Sequence, residues 1–98
     1  MMYTNNIAVT LSMPVYKSEK YIRKAFMSAL NQDFDNMEIL IIDNGSADKS
    51  LSIIEEIISD YKGCKVINFF RREKNIGLGD ARNIAISHAQ GKYLFFMD

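Results

Sequence analysis

The chain has one cysteine, one proline and one histidine among its 98 residues, and its formal net charge is zero. The single cysteine, Cys64, excludes an internal disulfide and suits a reducing compartment. Cys64 and His88 alone are too few ligands for a zinc site. Because basic and acidic residues are equal in number, the chain has no excess of positive charge to attract nucleic acid. We therefore expect no nucleic-acid partner.

Long apolar runs are also lacking. No run approaches the roughly 20 residues that span a bilayer, and the first six residues, MMYTNN, have neither the basic nor the apolar region of a signal peptide. We therefore predict a soluble, cytoplasmic protein. With 48% hydrophobic and 24% charged residues, the composition fits one globular domain with a modest core.

What the chain does contain is four short apolar runs, and they predict four strands. The runs are Ile7–Met13, Met37–Ile42, Lys65–Phe70 and Tyr93–Met97. The second run reads EILIID and is nearly continuous rather than alternating, which is typical of a strand covered on both faces.

Three stretches with helical period lie between these runs. Ser18 can start the first helix, Ser46 or Asp48 the second, and the third begins near Leu78 and ends at Gly91. Their predicted core-facing residues are Tyr21, Ile22, Ala25, Phe26, Ala29 and Leu30; Leu51, Ile54, Ile57, Ile58 and Tyr61; and Ala81, Ile84, Ala85 and His88.

The order β-α-β-α-β-α-β predicts a Rossmann-like α/β fold, with a parallel sheet, right-handed crossovers and helices on both faces. The last apolar run ends at Asp98 without a covering helix. We therefore expect residues 1–98 to be an incomplete part of a larger domain, and we expect the uncovered last strand to promote self-association into a homo-oligomer.

Polar or unusual residues follow every predicted strand. Pro14-Val15-Tyr16 follows the first, DNGSAD (43–48) the second, REKNIGLGDARN (72–83) the third, and Asp98 the fourth. In an open parallel sheet, ligands bind beyond the carboxyl ends of the strands. The sequence therefore predicts a ligand site at this edge.

Each of these segments also has a purely structural interpretation. Tyr16 could pack on the first helix, and the residues from Asp43 onward could form only a turn. Gly77-x-Gly79 is a poor dinucleotide fingerprint because Arg82 stands at its last glycine position. No Gly-Lys-Ser/Thr for a phosphate-binding P-loop is present.

Taken together, the segments PVYKSEKYI, LNQ, EILIIDNGSADKS, NIGLGDARN and GKYLFFMD resemble the N-terminal half of a family 2 glycosyltransferase with the GT-A fold. The resemblance runs from about Ile7 to Asp98. It implies that residues 1–98 are the nucleotide-sugar-binding part of such a domain. It also implies inverting transfer of a sugar, from a UDP-sugar donor to a hydroxyl acceptor, in glycan or cell-surface polysaccharide synthesis.

The resemblance also implies roles for individual residues. Tyr16 would stack on or flank the base, with Pro14 and Val15 lining the pocket, and Glu19 would lie near the nucleotide. Asp43 and Asn44 would contact the base. The second position of that pair is often Asp, but the amide oxygen of Asn44 can still accept from a uracil N3–H, without charge assistance. Arg82 would help to order the nucleotide or its diphosphate.

Asp98 matches the first carboxylate of the D-x-D motif, which implies a nucleotide-side ligand for Mg²⁺ or Mn²⁺. No catalytic residue is assigned within the chain, because the general base is expected beyond residue 98. The longer protein would act on a glycan or lipid-linked acceptor and could lie close to a membrane.

Two alternatives differ in function. The chain could be a non-catalytic nucleotide-sugar-binding module that shares the same pocket. It could also be a phosphoacceptor receiver with Asp43 as the acceptor, although receivers carry an acidic pair after the first strand, where this chain has Pro14-Val15-Tyr16.

Overall fold

A computed structural model describes residues 6–45, 48–72 and 78–97. Strands and helices alternate along the chain, as predicted. The elements are β1 (Val9–Val15), α1 (Ile22–Leu30), β2 (Met37–Asn44), α2 (Ser50–Asp60), β3 (Val66–Arg72), α3 (Leu78–His88) and β4 (Tyr93–Phe96). Over the described ranges, no helix has the length and apolar character needed to cross a membrane.

The four strands form one parallel sheet in the order β3-β2-β1-β4. From β1 the chain winds outward through β2 and β3, and then returns to place β4 on the other side of β1. This reversal of strand order creates a crevice beyond the carboxyl ends of β1 and β4, which is where open α/β sheets bind ligands.

Both faces of the sheet are covered, and the core is divided between them. One cluster joins the buried faces of α1 and α2 to alternate residues of β1 and β2, among them Met13, Val15, Ile39 and Ile41. The other packs α3 against Leu40 and Ile42. Because β2 supplies buried residues to both clusters, its near-continuous apolar sequence is explained.

The first two strands extend two residues beyond the predicted ends. Pro14 and Val15 pair with Ile42 and Asp43, so they belong to β1 rather than to the following loop. A central strand tolerates Pro14 because of where β4 stops. The carbonyl of Ser12 accepts from Met97 on the β4 side, and Pro14 faces the same side two residues later. The last paired residues of these two strands are Ser12 and Phe96, so Pro14 lies beyond the paired positions.

Two predicted core residues lie at the surface. Tyr21 is 72% exposed because α1 starts one residue later, where the carbonyl of Ser18 accepts from the N–H groups of Tyr21 and Ile22, both at 2.8 Å. Contrary to the prediction that Ser18 starts the helix, its hydroxyl makes no capping hydrogen bond to α1. His88 is exposed at the end of α3, with Nδ1 3.0 Å from the carbonyl oxygen of Ile84 and its ring 4.6 Å from that of Phe70.

A buried polar network closes the amino end of the sheet. Glu38 in β2 is fully buried, and its Oε1 accepts from Thr10 Oγ1 at 2.7 Å and from the N–H of Gln90 at 3.0 Å, while Asn68 Nδ2 donates to Oε2. The N–H of Gly91 donates to Thr10 Oγ1 at 2.8 Å. A Cβ at Gly91 would lie 2.5 Å from the backbone nitrogen of Thr10, so glycine is needed for this close approach.

Candidate functional site

The carboxyl edge of the sheet carries a row of three paired residues, Val15 on β1, Asp43 on β2 and Arg71 on β3. Asp43 is only 1% exposed, and its Oδ2 lies 3.7 Å from Nε of Arg71, whose side chain is largely exposed. Asp43 follows Ile39 and Ile41 at two-residue steps, so its side chain lies on the α1 and α2 face of the sheet. Asp43 therefore brings a buried carboxylate to the strand ends, on the face of the sheet that α1 and α2 cover.

Residues 16–19 form the connection from β1 towards α1, called the elbow below. Lys17 has φ of 50°, a left-handed conformation that is uncommon for a residue other than glycine. The hydroxyl of Ser18 closes the turn, because it accepts from the N–H of Tyr16 at 3.3 Å and donates to the carbonyl of Tyr16 at 3.1 Å. Tyr16 stays 39% exposed, and Lys17 Nζ lies 5.3 Å from the centroid of its ring.

The start of α2 is hydrogen-bonded directly to the elbow. Asp48 Oδ1 accepts from the N–H of Ser50 at 2.9 Å, and Asp48 Oδ2 accepts from the N–H of Glu19 at 3.4 Å. Ser50 Oγ accepts from the N–H of Ser18 at 2.9 Å. We call these contacts the Asp48 clamp. It fixes the loops that follow β1 and β2 to one another.

The charge of Asp48 suits this role. Hydrogen bonds from the hydroxyl and then the N–H of Ser50, with a smaller contribution from the N–H of Glu19, lower the pKa of Asp48 below its ordinary value. The carboxylate is thus ionised at neutral pH and accepts from both loops. Gly45, with φ of 84°, lets the chain turn away from β2 before it reaches Asp48.

Two hollows flank the elbow. One of about 250 Å³ is mostly apolar, and the other, of about 610 Å³, is wide and shallow. The first is lined by Met13, Pro14, Ser18, Tyr21, Ile22, Ala25 and Met97, and the second by Lys17, Glu19, Lys20, Tyr21 and Asp48. The elbow therefore borders open space on both sides.

The structure brings part of the predicted site together. Pro14, Val15, Tyr16 and Asp43 lie at the carboxyl ends of the neighbouring strands β1 and β2. Glu19 contributes its backbone N–H to the clamp, and the residue is exposed.

Among the remaining predicted residues, Arg82 lies apart from this group. Arg82 lies on α3, which packs on the opposite face of the sheet from α1, with its guanidinium carbon 5.3 Å from the ring centroid of Phe96. The side chain of Asn44, at the last position of β2, and the whole of Asp98 lie outside the described residues.

A divalent cation needs several oxygen ligands close together. Within the part of the chain that the structure describes, no group of three His, Cys, Asp or Glu side chains could hold a metal ion. The predicted ligand, Asp98, lies outside that part. The described residues therefore do not form a cation site by themselves.

Sequence reasoning missed three participants. Asp48 was expected only to start a helix, but it also binds a backbone N–H that is 29 residues away, a contact that no local pattern reveals. Ser50 was not singled out. Arg71 looks like a solvated strand end in the sequence, and only the strand register places it beside Asp43.

Comparisons with known proteins agree on one family. The model of the family described as "Glycosyl transferase family 2" matches residues 10–98. A glycosyltransferase of Haemophilus influenzae is 42% identical over 92% of this chain and 35% of its own length. Chondroitin synthase of Escherichia coli is 34% identical over 92% of this chain and 12% of its own length.

Solved structures give the same result for the fold. The crystal structure of S. aureus TarS 1-349 in complex with UDP superimposes with a TM-score of 0.81 at 31% identity, covering 93% of this chain and 27% of that one. The chain thus spans about a third or less of the length of the proteins it matches.

Proposed function

The chain belongs to glycosyl transferase family 2, and we propose that it binds the nucleoside-diphosphate sugar donor of a longer sugar-transferring enzyme, with UDP as the nucleotide. The observation that carries this proposal is that the partly exposed Tyr16 directly follows Val15, the residue of β1 that pairs with the buried Asp43 on β2. The UDP complex of TarS, at 31% identity, supports the choice of nucleotide.

Each group at the edge has a role that its chemistry can perform. An aromatic ring offers a stacking surface for a base, and stacking of this kind is worth about 1–3 kcal/mol per base. Asp43 can accept from the N3–H of uracil, a charge-assisted hydrogen bond that is stronger than a neutral one. We assign Pro14 and Val15 to the wall of the base pocket, and Asn44 to a second acceptor.

We assign Glu19 to a position near the nucleotide, and Arg82 to the ordering of the nucleotide or its diphosphate. Both residues are exposed. A guanidinium is well suited to phosphate oxygens because it presents several donors in a fixed plane. Arg82 lies over Phe96 at the end of β4, which borders the crevice where the strand order reverses.

For the longer protein we propose inverting transfer. An acceptor hydroxyl oxygen attacks the anomeric carbon, the bond from that carbon to the diphosphate oxygen breaks, and a general base takes the hydroxyl proton while UDP leaves. That base is placed beyond residue 98. Chondroitin synthase among the relatives supports a polysaccharide or other glycan acceptor, lipid-linked or free.

The cofactor and location also belong to the longer protein. We propose that Mg²⁺ or Mn²⁺ neutralises the leaving diphosphate, with Asp98 as one ligand. We also propose a cytoplasmic site of action close to a membrane. Chelation should then abolish sugar transfer and either cation should restore it, whereas full activity in chelator would contradict the cation proposal.

The donor proposal is tested by calorimetric titration of this chain with UDP, GDP and ADP. We expect UDP to bind most tightly, and Asp43→Asn to weaken UDP binding because the acceptor loses its charge. Asp33→Asn, an exposed carboxylate in the loop before β2, is the matched control and should leave binding unchanged. No heat of binding with any nucleotide would contradict the proposal.

A further inference from the structure

The elbow is held in a conformation that its own sequence does not favour. Lys17 has φ of 50° although it is not a glycine, and this left-handed region is strained for a residue with a side chain. Such a conformation persists only where surrounding contacts outweigh its cost. In the described structure, those contacts include the hydrogen bonds of Ser18 within the elbow and the Asp48 clamp outside it.

The clamp supplies the contacts that reach the elbow from another element. Ser50 Oγ and Asp48 Oδ2 accept from the two consecutive N–H groups of Ser18 and Glu19, directly after the left-handed residue. Asp48 Oδ1 is itself fixed by the N–H of Ser50 at 2.9 Å. The elbow is thereby held in register with the start of α2, which follows the strand that carries Asp43.

We propose that Asp48 is a positioning residue for the nucleotide base, and that it acts by holding the elbow so that Tyr16 and Asp43 face the same ligand. The proposal rests on the proposed function, since it names the residue that sets the geometry of that site. Asp48 need not touch the base. Its carboxylate acts through the backbone N–H of Glu19 and through Ser50.

The variant that tests this is Asp48→Asn, which keeps the shape of the side chain. Ser50 and Glu19 donate to different oxygens of Asp48, and the amide replaces one of these oxygens with an NH₂ donor, so one of the two hydrogen bonds is lost. Ser50→Ala removes the other acceptor of the clamp, and Asp33→Asn is the control for loss of an exposed carboxylate elsewhere. Binding of UDP and of uridine is measured for each protein well below its unfolding midpoint, and amide hydrogen exchange is followed at Ser18 and Glu19.

We expect Asp48→Asn to weaken binding by about three- to tenfold, the range that corresponds to one hydrogen bond. The factor should be the same for uridine as for UDP, because the elbow faces the base and not the diphosphate. Exchange at Glu19 should become faster in Asp48→Asn, and exchange at Ser18 faster in Ser50→Ala. The control should change none of these values.

Two results would overturn the proposal. One is unchanged affinity for UDP and uridine in Asp48→Asn, and the other is unchanged exchange at Glu19. If the wild-type chain binds neither UDP nor uridine, the proposed function fails, and the nucleotide role of Asp48 fails with it. Exchange at Glu19 then still decides whether Asp48 holds the elbow, so the two failures are distinguishable.

Discussion

Tyr16 keeps 39% of its surface exposed although it directly follows Val15, which is fully buried. A tyrosine that only packed against α1 would be expected to bury its ring, as Phe26 of that helix does. The exposure of Tyr16 therefore favours the ligand-facing interpretation of the elbow over the structural one.

Replacement of Tyr16 by alanine tests this directly. We expect Tyr16→Ala to weaken UDP binding by about 1–3 kcal/mol, because a stacking partner of the base is lost. The free energy of unfolding should change by only about 0.5 kcal/mol, as for other surface substitutions. Tyr93, on β4, is 58% exposed, and Tyr93→Ala is the control. Loss of stability in Tyr16→Ala with unchanged affinity would favour the structural role.

Glu38 is the residue on which the sequence was least informative. It stands within the apolar run EILIID and gives no sign of its partners, because Thr10, Asn68 and Gln90 are distant in sequence and reach it only through the strand register and the loop before β4. A buried acceptor shared by several donors cannot be inferred from local patterns.

Glu38→Ala should therefore be strongly destabilising. It leaves the donors of Thr10, Asn68 and Gln90 without their acceptor, and we expect a loss of about 3–5 kcal/mol in the free energy of unfolding. Urea denaturation measures this loss. Glu55→Ala, at an exposed position of α2, should cost no more than about 0.5 kcal/mol. Similar urea midpoints for the two variants would show that the network adds little.

Helices α1 and α2 both begin without a side-chain hydrogen bond from their N-cap residues, Tyr21 and Lys49. The N–H groups at the helix starts donate instead to groups outside the helices. The carbonyl of Ser18 accepts from Tyr21 and Ile22, and the carboxylate of Asp48 accepts from Ser50. The apolar period of each helix was enough to predict that it exists. Its first residue depended on these contacts, which explains why Tyr21 was wrongly assigned to the core.

The lowered pKa of Asp48 makes the start of α2 sensitive to acid. In the folded protein, hydrogen bonds from Ser50 keep the carboxylate ionised to lower pH than in the unfolded chain, where the pKa is about 3.9. The stability that Asp48 contributes is therefore fully present above that pH, and it is lost as pH falls through the lowered pKa.

Denaturation curves from pH 7 to strongly acidic pH should show that the contribution of Asp48 to stability decreases as pH falls. We expect the difference in the free energy of unfolding between the wild type and Asp48→Asn to be constant near neutrality and to shrink below about pH 4. The difference for Asp33→Asn should stay flat. If the difference in the free energy of unfolding between the wild type and Asp48→Asn did not shrink in acid, the lowered pKa of Asp48 in the folded protein would be contradicted.

For the molecule as a whole, the alternation of apolar runs was sufficient to predict the parallel α/β sheet, and the fold is confirmed by the superposition on TarS. The convergence of loops at the carboxyl edge was also predictable, because parallel strands all end on the same side. Strand order and register were not, since they depend on packing between distant segments. Arg71 could be placed beside Asp43 only once that register was known.

Strand β4 is at the edge of the sheet and carries two strongly exposed aromatic residues, Tyr93 and Phe95. Among the described strands, only β1 pairs with β4, so none pairs with its outer edge. No charged residue lies between Tyr93 and Met97. Edge strands of this kind favour association. Self-association therefore stays a prediction, and the outer edge of β4 is the surface that we expect to mediate it.

Light scattering after size exclusion tests it at micromolar concentration. We expect the wild-type chain to exceed its monomer mass, and Phe95→Lys to return it to the monomer because a charge on the edge strand opposes pairing. Phe34→Lys, at a site 48% exposed in the loop before β2, is the control and should leave the mass unchanged. A sharp monomer mass for the wild type would refute the prediction.

The central claim is that a nucleotide binds where β1 and β2 end. Titration of the ¹⁵N-labelled chain with UDP, followed by amide chemical shifts, tests it most directly. We predict the largest shifts in the elbow (residues 16–19) and at Asp43–Gly45, with little change at Thr10, Glu38 and Gly91 at the opposite end of the sheet. An absence of shifts at saturating UDP, or shifts concentrated at that opposite end, would contradict the claim.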